Sequence, residues 1–115
     1  MNNRTEPIIA KGCSVEEIVH YFESHYYIAF MERHTKRSDY YCGITNDIGK
    51  NLSRHGISGY TACVECESLE VSSKVEAELR NLGFDIGSAN NPEGNGGAKD
   101  STVVYMAYKE DGFKR

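Results

Sequence analysis

The side chains best suited to acid–base or phosphate chemistry crowd into one short segment, Tyr41-Cys42-Gly43-Ile44-Thr45-Asn46-Asp47-Ile48-Gly49-Lys50-Asn51-Leu52-Ser53-Arg54-His55. It carries a phenol (Tyr41), two cations (Lys50 and Arg54) and an imidazole (His55). A phenol or an imidazole can move a proton, and a cation can stabilise a developing anion. Each residue also has a purely structural reading. Tyrosine suits a strand, Gly43 admits close packing or a bulge, and a histidine near a helix C-terminus suits the dipole. Cys63-Val64-Glu65-Cys66 has the spacing of half a zinc site, but no second pair accompanies it. On a strand, residues i and i+3 also face opposite sides. Cys42 reads as core. The Gly-rich stretch 90–97 lacks the spacing of a phosphate-binding loop and reads as a flexible connection.

The surrounding pattern supplies elements that would position these groups. Residues 1–12 read as a flexible N-terminal segment and 13–115 as a single domain. Ser14 and Glu17 have capping-box spacing, and Val15, Ile18, Val19 and Phe22 follow at helical periodicity, giving a helix that ends near Ser24. Residues 25–32 and 38–45 read as two strands joined by a polar hairpin loop at 33–37. Asn46-Asp47 can cap a short helix over 48–55 with Ile48 and Leu52 inward, stopped by Gly56. A third strand is expected within 60–67. A helix capped by Ser73 with Glu76, and closed by Gly83, should follow. That spacing also gives Glu76 a structural reading as a cap. Residues 87–100 read as a loop and 102–109 as the clearest strand. The order predicts an α+β domain with a small, mostly antiparallel sheet of about four strands and packed helices.

The segment from Tyr41 to His55 resembles the second half of the signature of the GIY-YIG nuclease family, Tyr-x-Gly-x-Thr-x-Asp followed by a helix. Tyr41, Gly43, Thr45, Asp47, Leu52 and His55 stand at matching positions in one ungapped stretch. The likeness extends more loosely from about Tyr26 over most of the chain, and the last third looks similar to compact phage-like members. The resemblance implies a metal-dependent endonuclease. Tyr41 would assist deprotonation of an attacking water, with His55 beside it. Glu76 would hold Mg²⁺ or Mn²⁺, with Glu78 a weaker candidate. Gly43, Lys50, Asn51, Arg33, Lys36 and Arg37 would lie along the substrate.

The chain departs from that family in two places. The family arginine falls on Asn51, which donates a hydrogen bond but brings no positive charge. Arg54, one turn on, is the best-placed replacement. In the first half of the signature the usual spacing lands on Ile28-Ala29-Phe30, so Tyr27 serves as the first tyrosine only with a longer hairpin loop. Removing one transition-state donor costs on the order of a hundred- to thousandfold, so weak or lost cleavage is expected.

Charge and composition narrow the alternatives. The net charge is −4, which argues against a strong general DNA binder. Between Met31 and His55, five Lys/Arg face three acids, whereas between Glu65 and Asp85 six acids face two bases. The longest apolar run, Tyr26–Met31, is too short to span a membrane. The first seven residues hold no apolar signal core, so a cytoplasmic protein with reduced thiols is expected. Two further readings stand beside the nuclease. One is an inactive module of phage or mobile-element type that binds nucleic acid, nucleotide or protein through Arg33, Lys36, Arg37 or Arg54. The other is a protein-binding component whose acidic face meets a basic partner.

Overall fold

The computed structural model describes residues 8–86 and 102–114. Strand β1 (Ile8–Ile9) leads into helix α1 (Val15–Arg33). Its cap is the expected one: Ser14 Oγ accepts from the Glu17 amide at 3.1 Å, and Glu17 Oε1 accepts from the Ser14 amide at 2.8 Å. The helix does not stop near Ser24. Residues 25–32, expected as the first strand of a hairpin, form its C-terminal half. The reason is periodicity. Ile18, Phe22 and Tyr26 are buried at four-residue spacing, and Ala29 packs on the same core. Tyr26 anchors the register by donating to the Thr35 carbonyl at 3.0 Å and meeting Tyr40 and Phe84 edge-on. Burial of one helical face overrides the strand preference of the aromatic residues. The same change leaves Tyr27, Ile28, Phe30 and Met31 exposed.

A 3₁₀ turn at Arg37–Asp39 opens β2 (Tyr40–Thr45), followed by α2 (Ile48–Arg54) and β3 (Ala62–Glu65). Helix α3 (Leu69–Leu82) and strand β4 (Val103–Tyr108) are the last elements among the described residues. The cap of α3 is Ser68, whose hydroxyl accepts from the Val71 amide at 3.2 Å, not Ser73. Glu76 is therefore mid-helix and has no capping duty. Gly83 ends α3 with φ 110°, as the pattern predicted. The stretch 87–100, expected as a loop, lies outside the described residues.

The fold is α+β. The strand order is β1-β3-β4-β2, with β4 antiparallel to both β2 and β3 and β1 parallel to β3. Ile8 and Ile9 thus pair with the sheet although they fall in the expected lead-in. One sheet face carries Tyr40, Cys42, Val64, Val104 and Met106, and it packs against α1 and α3. The other carries Tyr41, Cys63, Tyr105 and Ala107 and lies under Leu52 of α2 and Ile57. Cys42 is core, and Cys63 and Cys66 belong to opposite faces. All four cysteines are free thiols. No helix among the described residues is long and apolar enough to cross a membrane.

Candidate functional site

Strand β2 runs directly into α2 through a small hydrogen-bonded turn. Thr45 Oγ1 accepts from the Asp47 amide at 3.0 Å, and Asp47 Oδ1 caps the helix by accepting from the Lys50 amide at 3.1 Å. This turn folds α2 back over the second sheet face and points Asn51 and Leu52 inward. The partner of β2 in the sheet is β4, in a register that sets Gly43 opposite Tyr105. A Cβ at Gly43 would stand 2.8 Å from the Tyr105 hydroxyl oxygen. The absent side chain is thus the space through which the Tyr105 phenol crosses β2 toward α2. There its hydroxyl donates to Asn51 Oδ1.

Tyr41 lies beside this pair on the same face, its ring centroid 6.2 Å from that of Tyr105, 4.8 Å from His55 and 5.1 Å from Phe113. His55 pins the C-terminal segment. Its Nδ1 donates to the Lys114 carbonyl at 2.8 Å, and its own carbonyl accepts from the Lys114 amide at 2.8 Å. With Nδ1 as the donor, the buried Nε2 is left as an acceptor without a partner among the described residues. Gly56 lets this strap lie close: it has φ 72°, and a Cβ there would sit 2.3 Å from the Gly112 carbonyl oxygen.

The Tyr105 hydroxyl is held well above the ordinary phenol range, first by burial and then by Tyr41, Cys42 and Glu76, with Arg54 acting in the opposite sense. It is consequently a neutral hydrogen-bond donor. Burial pushes the Glu76 carboxyl up to about 7, against a smaller opposing effect of Arg80. Glu76 belongs to α3, on the first sheet face, yet its charge acts on both Cys42 and Tyr105. Among the described residues no group of three or more His, Cys, Asp or Glu could enclose a metal. A single carboxylate fits an ion that keeps most of its water, as Mg²⁺ does.

No family model, curated protein or solved structure matches the chain. The geometry itself therefore carries the reading of the site.

Of the residues singled out from the sequence, the fold gathers Tyr41, Gly43, Asn51 and His55 under α2. Tyr41 and Asn51 are only 2% and 5% exposed. Lys50 and Arg54 are exposed on the outer side of the same helix. Tyr27 is not brought to Tyr41, because α1 covers the opposite sheet face. Tyr27 accepts instead from Arg37 Nη2 at 3.1 Å. Arg37 is itself held in a two-point pair with Glu23 at 2.7 and 2.9 Å, which raises its pKa further. Arg33 lies 5.7 Å from the Tyr108 ring, and Lys36 is exposed at the start of the 3₁₀ turn. The residue that sequence reasoning missed is Tyr105. Its strand was legible, but its place as the neighbour of β2 was not. A hairpin gives that place to the strand just before β2 in the chain, and here that segment is helix.

Proposed function

We propose that this chain is a divergent GIY-YIG-type domain of the metal-dependent endonuclease kind in which phosphodiester cleavage is weak or lost. One observation carries the reading: two tyrosines, Tyr41 and Tyr105, stand on adjacent antiparallel strands, with Gly43 opposite Tyr105 and β2 leading straight into α2. The resemblance reserves a place for a tyrosine on a strand before Tyr41; that segment is helix here, and we read Tyr105 on β4 as a stand-in for it. The sheet assembles the tyrosine pair from its centre and edge rather than from one hairpin.

In this arrangement the chain's own groups divide the work. The resemblance gives Tyr41 the task of orienting a water, although its phenol is closed off here by His55, Tyr105 and Phe113. The neutral Tyr105 phenol donates a hydrogen bond, and Arg54 supplies positive charge from the outer side of α2. Glu76 is not brought to the Tyr41 cluster, because α3 packs on the opposite sheet face; a divalent ion held there would supply Lewis acidity toward a phosphate oxygen from that side. The weak point is Asn51. It fills the arginine position, is buried, and spends its carbonyl on Tyr105. A cation missing there is the reason to expect slow chemistry.

Supercoiled-plasmid and single-stranded DNA nicking in Mg²⁺ or Mn²⁺ tests this, with Glu76→Ala and Asn51→Arg beside the wild type. Metal-dependent nicking lost in Glu76→Ala supports a surviving enzyme. Nicking gained only in Asn51→Arg supports a disabled one. No nicking by any folded variant sinks the nuclease reading.

A binding module is the second reading. It is favoured by the exposure of Lys50 and Arg54 over a closed, fully packed tyrosine pair. Affinity for DNA or RNA that falls steeply with salt would mark phosphate neutralisation, whereas a shallow dependence would point to a protein partner.

A further inference from the structure

We infer that residues 110–114 are an autoinhibitory lid over Tyr41 and His55, which must lift before either side chain can meet a ligand. Glu110 is the fixed end. Its carboxylate accepts from the Ser58 hydroxyl at 2.8 Å, and its carbonyl accepts from the Phe113 amide at 2.9 Å. Asp111 and Gly112 form an exposed turn. Phe113 then comes down over the site, its ring 5.1 Å from that of Tyr41 and stacked on His55 at 6.0 Å and 19°. Lys114 is the catch. Its carbonyl accepts from His55 Nδ1 and its amide donates to the His55 carbonyl, both at 2.8 Å. Underneath, Tyr41 and His55 are closed to solvent.

The build of this segment suits local opening. Its sequence is Glu-Asp-Gly-Phe-Lys, so one apolar side chain holds it down while Asp111, Gly112 and Lys114 stay exposed. Segments with so little buried apolar surface open at a small fraction of the global cost. The catch also carries a penalty. Closing it leaves His55 Nε2 buried without a partner among the described residues, and water repairs that loss when Phe113 lifts. Opening need not disturb the sheet. Strand β4 ends at Tyr108, and the Lys109 amide donates to the Asp39 carbonyl at 3.0 Å, ahead of the fixed end. Tyr41 therefore keeps its place in β2 while the lid moves. The competing ligand is the nucleic acid of the proposed function, and to that extent the inference rests on that reading.

Nitration of the full chain by tetranitromethane, read tyrosine by tyrosine in a mass spectrometer, tests the lid without nucleic acid. Phe113→Ala should raise nitration of Tyr41 about tenfold or more, while Tyr105 on the central strand stays as unreactive as in wild type. Gly56→Ala, whose Cβ would strike the Gly112 carbonyl oxygen, should lift the segment from its other side and give the same selective gain. A gain at Tyr41 alone in either variant supports the lid. No gain in both, or a gain shared with Tyr105, overturns it, because the segment is then part of the core. Titration of the same proteins with short oligonucleotides completes the test. Phe113→Ala should bind about tenfold tighter than wild type, since closure reduces apparent affinity by the open fraction. Wild-type binding that neither variant improves overturns the inference. Selective nitration of Tyr41 with no binding or cleavage by any variant sinks the nucleic-acid reading and leaves the lid standing.

Discussion

The hydroxyl of Tyr105 donates to Asn51 Oδ1, tying the central strand to the helix that packs beneath it. Both residues are buried. The bond exists only because Gly43 leaves the path open, with Tyr105 Oη and Cζ at 2.8 and 3.0 Å from where a Cβ would stand.

Tyr105→Phe should therefore destabilise the fold by about 1–3 kcal/mol, because Asn51 Oδ1 is left buried and unsatisfied. Gly43→Ala should cost a similar amount, about 1–3 kcal/mol, through overpacking against the phenol. The two changes share one space, so the double variant should lose less than the sum of the singles. Urea unfolding of all four proteins measures the coupling. Strict additivity would mean that Gly43 is not there to admit Tyr105.

Two glycines in and after α2 separate backbone need from mere absence of a side chain. Gly56 is in the left-handed region, and an added Cβ would meet the Gly112 carbonyl oxygen at 2.3 Å. Gly56→Ala should cost more than about 1 kcal/mol and loosen the C-terminal strap that His55 holds. Gly49 lies within α2, and a Cβ there meets nothing closer than 3.9 Å. Gly49→Ala should stabilise by about 0.5–1 kcal/mol. Thermal melts of the two variants moving in the same direction would refute the distinction.

How much of this was legible in the sequence depended on whether a signal was local. The Ser14–Glu17 cap, the Asp47 cap, the Gly83 stop and the β4 strand are local, and each stands where the pattern put it or within a residue or two. The segment 25–32 was misread because aromatic and β-branched residues favour strands in isolation. What decided it was the long-range burial of Tyr26 against Tyr40 and Phe84. Ser68 won the α3 cap over Ser73 because Val71 and Ser72 already pack inward. The Tyr41–Gly43–Asn51 cluster could be read because it lies in one stretch of chain. Tyr105 could not, since its proximity to Gly43 is a fact of strand order.

Glu76 gives a pH signature with a definite sign. Its carboxyl is raised from 4.5 to about 7 by burial, so the folded chain holds the proton more tightly than the unfolded chain. That contribution to stability is fully present below the unfolded value and is lost as pH rises through about 7. Wild type should lose on the order of 1–3 kcal/mol between pH 4.5 and 8 relative to Glu76→Gln, which lacks the titration. Denaturant unfolding at the two pH values gives the difference directly. Added Mg²⁺ or Mn²⁺ at pH 8 should recover part of the loss in wild type and none in Glu76→Gln. Equal metal effects on both proteins would remove Glu76 as the ligand.

The cations divide into those already engaged and those left to solvent. Arg37 is locked to Glu23 and stacks at 4.8 Å over the Tyr26 ring, so its charge is spent within the fold. Lys50 and Arg54 stand exposed on the outer side of α2. If phosphates bind over that helix, Lys50→Ala and Arg54→Ala should each weaken nucleic-acid binding and lower the log–log salt slope by about 0.7–0.9. Arg37→Ala should instead lower the melting temperature and leave the slope unchanged, because it removes a buried-edge contact rather than a phosphate contact. Fluorescence anisotropy with short single- and double-stranded oligonucleotides across a salt series distinguishes the two behaviours. A slope that falls in Arg37→Ala and not in Arg54→Ala would move the phosphate face from α2 to the turn that follows α1.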